Sequence, residues 1–231
     1  AWAMTFSILA VIGILYGGLV AWVQEDIKKL VAYSSISHLG FVVLGLFAMN
    51  PSSVTGGLLQ AAIHGINTGA LFLMVGMIYS RTHTREIKSI GGIADQLPLY
   101  AVFFCIFSFA SIGLPGTNGF VGEFIILSSS FSRFPVLVIL ATSGVIVSAL
   151  YMLYLIRKCV FGPITESVKE CRDLKGLELA TLTPLLILVF WVGLYPSPVI
   201  DRLEPTVHSL LIEQVPDVER AKSHLEPEGG Q

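Results

Sequence analysis

Charge is what this sequence most conspicuously lacks. Of its 231 residues only 13% are charged, 14 Lys and Arg against 16 Asp and Glu, while 54% are hydrophobic and the mean hydropathy is +0.77. An ordinary soluble domain is about 25% charged. So few charges cannot cover a water-facing surface of this size, which excludes a soluble globular enzyme, a disordered chain and a nucleic-acid binder. Cysteine is also scarce: Cys105, Cys159 and Cys171 are odd in number and lack CxxC spacing, so neither a disulfide framework nor a zinc site is implied. A Walker loop, a GxGxxG turn, a nucleophile elbow and a Cys or paired-His pattern for haem or iron–sulfur are all missing. Redox or ATP chemistry would have to reside on another chain. The start lacks the basic n-region of a signal peptide. It opens without Met, directly in apolar sequence, and this reads as the C-terminal part of a longer protein.

What is present is a succession of long apolar runs. A bilayer core about 30 Å thick needs about 20 apolar residues of helix. Such runs occur at about 3–23, 30–49, 54–79, 97–131, 135–160 and 178–195. Alternation with period two is absent, which argues against a β-barrel. The fold class is therefore all-α, a polytopic membrane bundle of six transmembrane helices. The run 97–131 is too long for one straight span and is interrupted at Gly113-Leu-Pro-Gly-Thr-Asn-Gly119. Proline and glycine there free backbone groups from the helical ladder, which a membrane tolerates only where protein or water satisfies them.

The few charges set topology. With six crossings, the junctions after the first, third and fifth spans share one side and hold ten basic residues, from Lys28 and Lys29 to Lys175. The junctions after the second and fourth hold one, Arg133. The positive-inside rule places the basic side in the cytoplasm. The same imbalance favours 97–131 as one broken crossing, since two crossings would put the basic loops 80–88 and 157–175 on opposite sides. Residues 1–195 thus form the transmembrane unit. After Pro196 and Pro198, the apolar residues Val199, Ile200, Leu203, Val207, Leu210 and Leu211 recur at helical spacing and predict a short amphipathic helix on the opposite side or against a partner. Residues 216–231 are acidic, contain Pro and Gly, and read as disordered.

Ionisable groups inside a span are costly, so each invites a reason. His38 lies near the middle of the second span, His64 near the middle of the third, and Glu123 just after the break in the fourth. None has a counter-ion at i±4, so their partners must lie across helices or be water. Lys28 stands ten residues before His38, about 15 Å along a helix, enough to reach from the membrane surface to mid-depth. Histidine changes charge near neutral pH, and removal from water brings carboxyl groups toward the same range. Such a set suits a proton relay, and discontinuous helices at mid-depth mark transporter sites. Ser34, Ser35, Ser37, Asn67, Thr68, Thr117 and Asn118 could hold water beside it. The plainer readings are an interhelical hydrogen bond for each histidine, an interfacial anchor for Lys28 and Lys29, and a packing kink for the break. Glu25 and Asp26 read as a solvated charge cluster and His83 as a loop residue. Glu123 resists a plain reading, because an unpaired buried carboxyl has little structural use.

These residues fall in recognisable strings. Asp26-Ile-Lys-Lys-Leu-Val-Ala-Tyr-Ser-Ser-Ile-Ser-His-Leu-Gly40 resembles a signature of the antiporter-like membrane subunits of respiratory complex I. Ala62-Ile-His-Gly65, Ala70-Leu-Phe-Leu73, Tyr79-Ser-Arg-Thr-His-Thr-Arg85 and Gly113-Leu-Pro-Gly-Thr-Asn-Gly-Phe-Val-Gly-Glu-Phe124 continue it in register from about 3 to 195. Glu123 resembles the M-type branch, since L- and N-type chains and Mrp antiporter subunits usually carry Lys at that motif position. The resemblance implies an antiporter-like fold of two inverted repeats, of which this chain corresponds to the second repeat plus the final helix. It also implies that Glu123 loads the proton, that His38 and His64 join it to the cytoplasmic side, and that Lys28 reaches toward the same path. NADH, FMN, iron–sulfur clusters and quinone would belong to other subunits, and the partners would be membrane subunits including L- and N-type chains, in a bacterial plasma membrane. A Mrp-type cation/proton antiporter subunit and a membrane-hydrogenase subunit are the alternatives.

Overall fold

The computed structural model describes residues 2–214; the expected disorder of 216–231 lies outside the described residues. The described chain is helical, with no strand beyond one isolated bridge between Asp26 and Glu86. Helices α1 (Trp2–Trp22), α2 (Ile27–Phe47), α3 (Pro51–Thr82), α7 (Pro135–Leu155) and α8 (Leu177–Leu194) follow the apolar runs. Five helical stretches are long and apolar enough to cross a membrane, the fourth being α7 with the π-helical turn Ile156–Val160 that continues it. Two shorter helices, α5 (Pro98–Ser111) and α6 (Asn118–Ser130), take up the broken run, preceded by the single turn α4 (Ile93–Gln96). An amphipathic helix, α9 (Ser197–Gln214), follows α8. Many outward side chains are apolar, such as Ile12, Ile139 and Ile146, each more than half exposed, as lipid-facing helices require.

The helix ends explain the boundaries. Asp26 is the N-cap of α2, its carboxylate accepting hydrogen bonds from the Lys28 and Lys29 amides at 2.8 and 3.1 Å. Such a cap stabilises a helix start by about 1 kcal/mol. Asp26 is thus a structural cap as well as a member of the charged cluster. Its neighbour Glu25 meets Lys88 at 2.5 Å, and that hydrogen bond holds the Glu25 carboxyl below its usual range. Asn50 and Ser53 form a capping box at the start of α3, and Pro51 stands at its first position. At the other end of α3, His83 terminates the helix in the left-handed conformation, φ 53°. Helix α5 has no cap of its own. Asp173, from the loop before α8, accepts hydrogen bonds from the Leu99 and Tyr100 amides at 2.8 and 3.0 Å instead.

Contacts between the connections fix which ends lie together. At one end Ile27 N–H donates to Arg85 O, Arg81 pairs with Glu178 at 2.6 Å, and Gly91 N–H donates to Thr165. These are the basic junctions after α1, α3 and α7. At the other end Asn50 donates to Ser129 O and Arg133 to Ala48 O, joining the junctions after α2 and α6. Helices α5 and α6 together therefore run from one end of the bundle to the other, as a single broken crossing. Helix α9 lays Val199, Ile200 and Leu203 against Leu59 and Ile63 of α3 and Val192 of α8, and so packs on the bundle.

Candidate functional site

The break is built from two glycine-dependent turns. Helix α5 ends in a Schellman motif: Leu114 N–H donates to Phe109 O at 3.0 Å, Gly113 N–H to Ala110 O at 3.3 Å, and Gly113 takes φ 74°. Gly116 follows at φ 92°, and α6 starts at Asn118. The two half-helices approach so closely that a Cβ on Gly119 would lie 2.0 Å from the Ala110 carbonyl oxygen. Helix α8 covers the break from outside, where a Cβ on Gly193 would stand 2.6 Å from Gly116 O. Glu123 lies five residues into α6, and its carboxylate sits against Gly113.

This brings three of the four expected residues together, two of them buried. His38 Nδ1 lies 3.0 Å from Glu123 Oε1, with the residues 3% and 4% exposed. The His64 ring stands beside His38, its centroid 6.0 Å away, and is partly exposed. The partner of His64 is Thr68, one turn on in the same helix, whose Oγ1 is 3.2 Å from Nδ1. Lys28 is not brought to the cluster. It is exposed at the start of α2 and lines a cleft of about 400 Å3 with Phe72, Val75, Gly76, Tyr79 and Arg85. Phe72 and Gly76 continue along α3 the row begun by His64 and Thr68, so the cleft and His64 share one helix face.

Several partners were not expected from the sequence. Gln60, one turn before His64, donates from Nε2 to Glu123 Oε1 at 3.4 Å. Ser111 Oγ and Tyr151 Oη each lie 3.4 Å from His38 Nε2. The polar amide of Gln60 inside an apolar run was a usable signal at spacing i−4 from His64. Tyr151 gave none, because tyrosine is common near membrane interfaces. Asn67 and Asn118 meet at 2.9 Å, and this ties α3 to the first residue of α6. Asn67 Oδ1, Asn118 Nδ2 and Gln60 Oε1 are buried without a protein partner among the described residues. Orphaned buried polar atoms of this kind mark places for ordered water.

Chemically, the cluster joins a carboxyl to an imidazole by one hydrogen bond in an enclosure of α2, α3, α5, α6 and α7. An ionised Glu123 can only accept, so His38 must then carry its proton on Nδ1. A proton can move between the two with almost no displacement of heavy atoms. Among the described residues no group of His, Cys, Asp and Glu is arranged to hold a metal.

Residues 1–150 match the family described as NADH:quinone oxidoreductase/Mrp antiporter, TM. The NADH-quinone oxidoreductase subunit M of Rhodobacter capsulatus is 47% identical over 205 residues, which cover 88% of this chain and 40% of that protein. The chain thus spans less than half the length of the curated relatives it matches. Its fold superposes on a chain of respiratory complex I from Thermus thermophilus with bound NADH, with a TM-score of 0.83 and 35% identity, over 90% of this chain and 45% of that one. It also resembles in fold a chain of the Mrp complex from Dietzia sp., with a TM-score of 0.81 and 19% identity, over 95% of this chain and 49% of the other. The broken α5–α6 crossing, the buried His38–Glu123 pair and the match over residues 1–150 lead to one assignment: this chain belongs to the NADH:quinone oxidoreductase/Mrp antiporter transmembrane family.

Proposed function

We propose that this chain is part of a proton-translocating membrane subunit of NADH:quinone oxidoreductase. The observation that carries the reading is the buried His38–Glu123 pair beside the helix break. Burying two titratable groups in a membrane protein is costly, and their retention suits a proton pathway. Glu123 is the proton-loading group and His38 its immediate exchange partner. His64 and Thr68 extend the path along α3 toward the cleft at Lys28, with water bridging the gap between His64 and Lys28. Lys28 acts at the mouth of the path.

In this reading residues 1–195 form the translocating unit and 196–231 an appended tail. The chain works as part of a translocase and binds no redox group itself. NADH oxidation and quinone reduction, with their FMN and iron–sulfur centres, occur on other subunits. Its neighbours are other antiporter-like chains, L- and N-type, in a bacterial plasma membrane. The end of the bundle where ten basic residues gather faces the cytoplasm, and α9 faces the opposite compartment.

Vesicles containing the whole complex test the reading. NADH plus quinone should drive proton movement that depends on this chain. Sodium-dependent proton exchange in the absence of NADH and quinone would instead favour the cation/proton antiporter reading. His64→Ala should slow pumping only severalfold, because water can occupy the space of a partly exposed relay member. A larger loss than from replacement of Glu123 would contradict this order of roles.

A further inference from the structure

The pathway proposed above gives Nδ1 of His38 a partner, Glu123, and leaves Nε2 unassigned. Its Nδ1 faces Glu123, while its Nε2 faces two hydroxyls, Ser111 Oγ on α5 and Tyr151 Oη on α7, both at 3.4 Å. Tyr151 is fully buried and Ser111 is 7% exposed, so Nε2 is shielded from bulk water. Ser34, one turn before His38 in α2, donates its hydroxyl to Val31 O at 2.8 Å. The Tyr151 and Ser111 hydroxyls are placed where His38 needs groups that can change role. A neutral His38 with its proton on Nδ1 needs a donor at Nε2, and a doubly protonated His38 needs an acceptor there. An amide nitrogen or a carbonyl could serve one state only, and would leave a buried group unpaired in the other. A hydroxyl serves both by rotating.

Resting on the reading of His38 and Glu123 as a proton-transfer pair, we propose that Tyr151 and Ser111 form the second proton-exchanging end of His38, through which protons reach or leave Nε2. In the forward step the Nδ1 proton of His38 passes to the Glu123 carboxylate, and a hydroxyl proton of Tyr151 or Ser111 passes to Nε2. The hydroxyl oxygen takes a replacement proton from a water on its far side, and that water is reprotonated in turn from the bulk. One N–H bond breaks at Nδ1 and one forms at Nε2, so His38 ends neutral in its other tautomer and one proton has moved to Glu123. The protonated carboxyl then donates to the bare Nδ1, and the hydroxyls accept from the new Nε2–H. Tyr151 and Ser111 thus act through His38 and are relay and positioning residues.

The test is a set of variants in the complete complex, with assembly checked and the solvent deuterium isotope effect on pumping measured beside the rate. Tyr151→Phe and Ser111→Ala should each slow pumping severalfold and raise the isotope effect, because one hydroxyl still serves Nε2. The double variant should lose at least about tenfold, a lower bound beside the about 10²–10⁴-fold that positioned proton transfer contributes. Tyr151→Phe with Ser111→Thr, which keeps a hydroxyl, should recover most of that loss. A merely structural role would change assembly without moving the isotope effect or showing hydroxyl-specific rescue. If Tyr151→Phe does not assemble, Ser111→Ala against Ser111→Thr carries the same comparison. Normal pumping and an unchanged isotope effect in the assembled double variant, or equal rates for the Thr and Ala forms, would overturn the proposal. Glu123→Gln in parallel separates the two claims: if that variant fails to pump while the double variant pumps normally, only the hydroxyl relay falls.

Discussion

Glu123→Gln in the complete complex is expected to stop proton movement through this part of the chain while leaving assembly intact. Gln matches Glu in size and keeps an oxygen that accepts from Gln60 Nε2 and from His38 Nδ1–H, at the positions now 3.4 and 3.0 Å away. The acceptor of these two hydrogen bonds is therefore retained, and neither Gln60 nor His38 loses its partner. What is lost is the ability to take and release a proton. Positioned proton transfer contributes about 10²–10⁴-fold to rates, so proton pumping should drop by at least a factor of about ten. Electron transfer from NADH to quinone, where it is coupled, should slow with it. The check is proton movement into vesicles driven by NADH and quinone, alongside the amount of assembled complex. Unaltered pumping by assembled Glu123→Gln complexes would remove Glu123 from the pathway. Glu123→Ala is the poorer test, because it leaves the buried His38 Nδ1–H without its acceptor and adds about 1–3 kcal/mol of desolvation cost.

The second large effect is expected at Gly119. A methyl group there would lie 2.0 Å from the Ala110 carbonyl oxygen, and the obstacle is backbone at the end of α5, which cannot swing aside as a side chain would. Gly119→Ala must push α6 away from α5, and insertion into a packed interior costs about 1–3 kcal/mol or more. The same shift would move Glu123, one helical turn further on, relative to His38 on α2. Thermal unfolding of the complex should thus start at a lower temperature in the Gly119→Ala form, and pumping should fall with it. Gly116 offers the contrast. Nothing lies within 4 Å of a Cβ there, and its φ of 92° leaves only backbone strain of about 1–3 kcal/mol to oppose Ala. Equal stability of Gly119→Ala and the unchanged protein would mean that the half-helices do not meet at Gly119 and Ala110.

Much of this architecture is legible in the residues. Apolar runs give the helices within a few residues, because in lipid a helix must satisfy its own backbone and must match the thickness of the bilayer. Gly113, Pro115 and Gly119 announce the break, since each disfavours continued helix. The ten-to-one imbalance of basic residues predicts which junctions share a side, and the contacts of Arg81, Lys88 and Gly91 gather those junctions at one end. The same sequence signals mark His38, His64 and Glu123, because an ionisable group in an apolar run stands out wherever it falls. Asp26 shows the limit of local reading: its capping role is visible in its position before a helix, yet a neighbouring run of charges suggests only a solvated cluster.

Read along the chain alone, the residues announce the solvent, the number of crossings, the place of the break and the three interior titratable residues. All of these follow from one-dimensional properties: hydropathy over a span, the conformational limits of Gly and Pro, and the cost of a charge in lipid. Which groups touch is a matter of packing. Packing joined His38 to Glu123 across 85 positions of sequence, set Tyr151 and Ser111 on the far side of the same imidazole, brought in Gln60, and left Lys28 at the surface. Those pairings depend on how five helices rotate about their axes as they pack. That rotation is fixed by close approaches such as Gly119 on Ala110 and Gly193 on Gly116, which are properties of pairs of helices and are written in neither sequence segment alone.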